Sequence, residues 1–242
     1  MKPLFATIAL SLHLSASAGM PTEIVLWSEP TVRGEVTISG SEIHYAGDID
    51  TVVAKSIVDL IEQQKFDTLL IHSKGGDVEA ARKIGVAVFD QKITVVVSGQ
   101  CSSSCARYIF TGAKTKQIKP EAFVMFSEYK NYYDYVKTIN QLAEKKLSNG
   151  IAILSESEKG QLAIGEKWVG PEKEYFQKIG VDMRITSLGY VPGKSVSHWV
   201  MTAKRMSDFG VSNVALPDDY ASQVFCDKMK LKGLLRWDAQ CL

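Results

Sequence analysis

"VVVSGQCSSSCARYIF", residues 95–110, sets three consecutive serines between two cysteines. A β-branched run leads in, and an apolar run compatible with a helix leads out. A strand–turn–helix of this kind can use its serines in two ways. They can cap the new helix, as serine commonly does at a helix start. Alternatively, one hydroxyl can be presented as a nucleophile on the sharp turn, with the first helical amides holding an oxyanion. A second turn, Ser73-Lys74-Gly75-Gly76, has two glycines in a row, and a chain without β-carbons can bring a further amide close to a substrate carbonyl. The residues of these two turns leave both readings open.

Around this stretch the hydrophobic pattern alternates between strand and helix. "GEVTISG" and "SEIHYAG" alternate with period two around Gly40 and are expected to pair as strands, following a short segment "TEIVLW". Asp50 offers a cap to a helix whose inner face is Val53, Ile57, Leu60 and Ile61. "DTLLIHS" is a strand, and Asp77 caps a second helix facing inward through Val78, Ala81, Gly85 and Val88. "KITVVVS", a helix over residues 103–112, and the strand "AFVMF" follow. Such alternation predicts an α/β fold with a mostly parallel sheet and right-handed crossovers. In sheets of that kind ligands bind beyond the carboxyl ends of the strands. Three turns fall there and should converge: 73–76, 99–103 and Ser127-Glu128. Farther on, Tyr132, Tyr135, Val136, Ile139 and Leu142 recur at helical spacing and predict an amphipathic helix over 131–147 with a packing or oligomer face. Residues 148–200 read as Gly-rich and irregular, with Pro171 placed to start a short helix. A helix over 202–210 stops at Gly210, and residues 226–242 read as a clamped appendage.

The 242 residues include 28 Lys plus Arg and 27 Asp plus Glu, a balance that gives no reason to expect nucleic acid or an anionic membrane surface as partner. Lys2, the short apolar run "LFATIALSLHL" and Ala16-Ser17-Ala18 have the form of a signal peptide over residues 1–18. No later segment has the length and apolarity of a membrane span, so the expectation is an exported protein, periplasmic or secreted, with one domain over 19–225. In an oxidising compartment the four cysteines, Cys101, Cys105, Cys226 and Cys241, favour disulfides. Four cysteines allow three pairings. Cys101 and Cys105 span a turn into a helix, where their α-carbons can reach bridging distance, and Cys226 with Cys241 would close the tail. Cys-x3-Cys has no further ligand at metal spacing nearby, and no metal or cofactor is expected.

The stretch from "SEIHYAGDID" through "LLIHSKGGD", "ITVVVSGQCSSSCARYIFTGAK" and "AFVMF" resembles the proteolytic subunit of the ATP-dependent Clp protease, over about residues 42–128. The resemblance returns in "VMTAKRMSDFGVSNV", 200–214. More narrowly, it is similar to exported Clp-protease-like proteins with a Cys-x-Ser-x-Cys nucleophile motif. It implies the Clp/crotonase spiral of strand–strand–helix units and places the nucleophile at Ser103. The Ser104 amide and the Gly75-Gly76 turn then form the oxyanion hole. It also implies a homo-oligomer, built partly through the helix after the "AFVMF" strand, and a peptide or protein substrate.

The departures from that family concern the base. Ser127 stands where the family has its catalytic histidine, His198 where it has its aspartate, and Lys74 where a proline usually precedes the two glycines. After signal removal His44, His72 and His198 remain. His44 reads as structural, and His72, close to the site, as either a core residue with one ring nitrogen bonded to backbone or a base for Ser103. His198 can act on Ser103 across the gap that the small Ser127 leaves, and Lys74 can do so if burial lowers its pKa. The expectation is thus a serine peptidase-like hydrolase with Ser103 and His198 as its catalytic pair. It would act without a cytoplasmic ATPase partner; the chain carries no P-loop of its own, so any ATP dependence would need another chain. The alternative is a catalytically inactive Clp-like scaffold or binding protein that lost the triad with Ser127.

Overall fold

The computed structural model describes residues 34–127, 132–187, 190–191, 194–195 and 198–242. The signal-peptide reading of residues 1–18 and the segment "TEIVLW" lie outside them, as do Glu128 and the side chains of Tyr132 and Tyr135. The fold is α/β with a mostly parallel sheet. Strand β1 (Val36–Ser39) turns back antiparallel on β2 (Glu42–Ala46). Helix α1 (Thr51–Glu62) then crosses to β3 (Thr68–Ser73), and α2 (Val78–Asp90) to β4 (Thr94–Ser102), each new strand parallel to the last. Both helices start where expected. Asp50 accepts from the Val52 and Val53 amides and Asp77 from Ala80, satisfying donors the helices cannot. Val53, Ile57 and Ile61 of α1 and Ala81, Ile84 and Val88 of α2 are buried against the sheet. Burying an aliphatic side chain of this size contributes about 1.5–3 kcal/mol.

Strand β4 forks the sheet. Its first half, Thr94–Val97, pairs with β5 (Thr115–Ile118), and its last residues, Gln100–Ser102, pair with β6 (Phe123–Ser127). Between the halves the pairing with β3 shifts, from Ile71 opposite Val97 to Ser73 opposite Cys101. The irregularity accommodates His72. Its ring lies against the α-carbon of Gly99, where a β-carbon would collide with it, and its Nδ1 accepts from the Gln100 amide at 3.3 Å. Beyond β4 the chain enters a π-helix, Cys105–Phe110, buried throughout and packed on α2.

The second half of the chain departs from expectation. Helix α3 (Tyr132–Asn149) is present, but the stretch read as irregular holds a 24-residue helix, α4 (Glu156–Ile179), with Pro171 inside it. Ser155 and Glu158 form a capping box at its start, and Gly180, with φ +69°, ends it. The glycines that suggested a loop include a contact surface. Gly165 faces Ile139 of α3 so closely that a β-carbon would strike it, and Ile139, Leu142, Leu154 and Leu162 form a small separate core. At its other end α4 docks on the main core through Tyr175 and Phe176.

A short ribbon, β7 (Tyr190–Val191) with β8 (Lys194–Ser195), precedes β9 (His198–Val200), which runs antiparallel to β6. Helix α5 (Ala203–Ser207), capped by Thr202, leads to β10 (Val214–Ala215), which pairs with β5. Of residues 226–242, Gln240–Cys241 join the sheet. Helix α6 (Gln223–Leu231) is followed by β11 (Gln240–Cys241), parallel to β9, and the order through this side of the sheet is β4-β6-β9-β11.

Candidate active site

Ser103 sits between β4 and the π-helix with φ +53°, in the left-handed region that non-glycine residues rarely enter. Its amide donates to the Met125 carbonyl at 3.1 Å, and its own carbonyl accepts from the Arg107 amide at 2.9 Å. A sharp strand-to-helix turn of this type lifts a serine hydroxyl clear of the backbone. Cys101 and Cys105 close a disulfide across the turn, Cα–Cα 5.3 Å. Among the described residues none hydrogen-bonds to the Ser103 hydroxyl.

The Gly-Gly turn lies directly on this bend. A β-carbon on Gly75 would stand 2.7 Å from the Ser102 carbonyl oxygen and 3.0 Å from both the Ser103 β-carbon and the Ser104 nitrogen. With φ +103° at Gly75, the position requires glycine on both counts. The Gly75 amide donates to Ser73 Oγ at 3.1 Å. The bridge to Ile49 uses the Gly75 carbonyl and the Asp77 amide, so the Gly76 amide stands outside both pairings. The Ser104 hydroxyl ties the two turns together by donating to the Gly76 carbonyl at 3.2 Å. Its amide belongs to the first turn of the helix, where N–H groups have no intrahelical acceptor. Gly75 thus provides the close approach to the bend, and among the described residues the Gly76 amide lies outside these pairings.

Ser103, Ser127, His198 and Lys74 line one cavity of about 510 Å³. Ser127 and His198 are direct partners in the β6–β9 pairing, and the Ser127 carbonyl is held by Arg107 Nη2 at 2.9 Å. The last wall is the segment 233–237, which no sequence motif connects with the site. A larger cavity of about 810 Å³ between α1, α2 and α4 is lined by no serine, cysteine or histidine.

The histidines separate by environment. His44 Nε2 lies 2.8 Å from a Glu42 carboxylate oxygen on β2. His72 is lowered in pKa, by burial first and then by Lys74, and its Nδ1 is an acceptor for backbone. His198 is also lowered, by burial first and then by Arg236, with Asp238 opposing. A neutral imidazole at neutral pH is the form able to accept a proton. Its Nδ1 lies 3.7 Å from Asp238 Oδ2, an oxygen that also accepts from Arg236 Nη2 at 3.2 Å, while Arg236 Nε donates to Oδ1 at 2.9 Å. Nothing in "RWDAQC" marks Asp238 beforehand; it arrives through the pairing of β11 with β9, a contact distant in sequence.

No family model and no curated protein matches the chain. Solved structures do. One is a point mutant of ClpP1 from Listeria monocytogenes, at 16% identity and TM-score 0.45, covering 74% of this chain and 94% of that one. Another is an enoyl-CoA hydratase from Mycobacterium avium subsp. paratuberculosis K-10, at 11% identity and TM-score 0.33, covering 61% and 87%. At these values neither transfers a residue's role to this chain.

Cys226 and Cys241 form the second disulfide, Cα–Cα 6.5 Å, and no cysteine is left free. The Cys-x3-Cys spacing is thus used for a bridge. Among the described residues no helix is long and apolar enough to cross a membrane.

Proposed function

We propose that the protein is a serine hydrolase of peptidase type in which Ser103 is the nucleophile and His198 its base. The observation that carries this reading is the shared cavity: an uncommitted serine hydroxyl on a left-handed strand-to-helix turn, and a neutral-leaning imidazole on the strand beyond Ser127. With His198 Nδ1 on the side of the Asp238 carboxylate, Nε2 is the nitrogen assigned to accept the Ser103 proton. Attack of Oγ on a substrate carbonyl forms a tetrahedral oxyanion, for which the Ser104 amide and the Gly76 amide are the donors. His198 then returns the proton to the leaving group, and water releases the acyl group by the same route. A positioned base of this kind contributes roughly 10²–10⁴ in rate.

The signal-like residues 1–18 and the two disulfides support an exported protein acting without an ATPase partner, and the helix α3 supports self-association. A second reading, an inactive Clp-like scaffold, is favoured by one observation: serine rather than histidine at 127. Labelling with a fluorophosphonate decides between the two. Wild-type protein is expected to label at a peptide containing Ser103, Ser103→Ala to lose the label, and His198→Ala to suppress it nearly as far. Failure of the wild type to label, or equal labelling of wild type and Ser103→Ala, overturns the hydrolase reading.

A further inference from the structure

The catalytic reading leaves a gap at the third position. A histidine base works best when a carboxylate fixes its tautomer and steadies the imidazolium formed after proton transfer. In the Clp-type pattern the histidine follows the strand that here is β6 and the aspartate comes just ahead of the 200–214 stretch. Both places are occupied differently, by Ser127 and His198. We infer that the arrangement has moved one strand outward, and that Asp238, carried on the chain segment leading into β11, is the positioning residue for His198. This rests on the hydrolase reading above.

The geometry follows from strand order. Ser103 leaves β4, Ser127 ends β6, His198 opens β9, and Asp238 stands two residues before β11, in a sheet ordered β4-β6-β9-β11. The register places Gln240 opposite Trp199 and Cys241 opposite Val200, so Asp238 is delivered alongside His198. The segment is tied at both ends. Ala239 and Leu235 are buried, and the Ala239 amide donates to the Arg236 carbonyl at 3.1 Å. Leu242 exchanges backbone bonds with Val200 and Thr202 at 2.9 and 2.7 Å, and Cys241 is bridged to α6 through Cys226.

At 3.7 Å the Asp238 carboxylate stands about 0.7 Å beyond a good hydrogen bond, and catalytic contacts commonly tighten only with substrate present. Arg236 holds the same carboxylate through both oxygens, its Nη2 sharing Oδ2 with His198. The charged groups facing His198 are then Asp238 and Arg236 from the tail and Lys74 across the cavity, from the turn after β3. Arg236 favours the neutral ring, ready to accept. Asp238 favours the charged ring, which exists only after the proton has moved. The pair therefore favours a neutral base at rest and supports the imidazolium in the intermediate.

The test uses the full chain, fluorophosphonate labelling of Ser103 against pH, and the His198 ring titration followed by NMR. Asp238→Asn is expected to slow labelling at least tenfold and to move the acid limb and the ring titration to lower pH, since the group that favours the imidazolium is gone. Arg236→Gln is expected to move both to higher pH. Asp238→Glu is expected to restore most of the rate. Asp238→Asn labelling at the wild-type rate with an unshifted ring titration overturns the inference while the hydrolase reading stands. A wild type that does not label overturns both. Should Asp238→Asn fold poorly, the upward shift in Arg236→Gln and the retained rate in Asp238→Glu decide, and their absence overturns the inference.

Discussion

Ser127 and His198 face each other across the antiparallel pairing of β6 and β9, so a residue with a small side chain and an imidazole share one rung beside Ser103. The proposed base therefore reaches the nucleophile from the next strand out. Replacing His198 by Asp is expected to abolish labelling of Ser103. Adding Ser127→His to that variant is expected to recover at least tenfold, because the pair then holds imidazole on β6 and carboxylate on β9. Labelling rates of the single and double variants check this; a double variant as silent as His198→Asp refutes it.

Gly75→Ala should cost both stability and activity. Its β-carbon would meet the Ser102 carbonyl oxygen at 2.7 Å, and the backbone there has φ +103°. Holding an alanine in such a conformation costs about 1–3 kcal/mol. The expected outcome is a urea midpoint lowered to match and labelling reduced beyond the unfolded fraction, since the clash falls on the nucleophile turn.

Removing the Cys226–Cys241 bridge with paired serines releases a loop spanning 15 residues. Chain-entropy reasoning gives a loss of about 3 kcal/mol for a loop of that length. The Cys101–Cys105 bridge spans 4 residues and should contribute less to the unfolding free energy. Its loss is expected to act on labelling, through the turn it braces. Urea unfolding and labelling measured on each variant separate the two roles.

Arg107 and Glu172 form a buried pair at 3.8 Å, in which the Glu172 pKa is raised by burial and drawn back by Arg107. Arg107→Met should destabilise by about 3–5 kcal/mol, because it leaves an uncompensated buried carboxylate. Arg107→Met with Glu172→Met should be milder than the single change. A double-mutant cycle in urea checks this. Because Arg107 also holds the Ser127 carbonyl, both variants should label more slowly than wild type.

Lys116 is buried, with its Nζ donating to the carbonyls of Ala113 and Ser212, and burial lowers its pKa to about 8 from 10.5. Between those values the unfolded chain binds a proton that the folded chain has released. Stability from this group therefore rises with pH across that window. Lys116→Met is expected to remove the rise, so that wild type gains on the variant between pH 8 and 10.5. Unfolding midpoints of both proteins across the window test it.

The first half of the chain was legible because its signals are local. Asp50 and Asp77 cap helices at the first turn, and the alternation around Gly40 fixes a hairpin. The bend at Ser103 was legible through its bracketing cysteines. Helix α4 was not, since Gly160, Gly165, Gly170 and Pro171 read as breakers. Gly165 in fact lets α3 come close, and Pro171 is carried by a helix whose ends are capped and whose flank is buried. Asp238 was hidden for a different reason. Its role depends on the β9–β11 register, and a two-residue strand leaves no periodic trace.

Synthesis order gives the tail a further consequence. Ser103 and His198 leave the ribosome well before Leu234–Trp237 and Asp238, which complete the cavity wall and the carboxylate. Without that last segment the cavity that holds serine and imidazole lacks one side. Closure of that side of the cavity therefore waits for the last stretch to pair with β9 and for Cys241 to find Cys226.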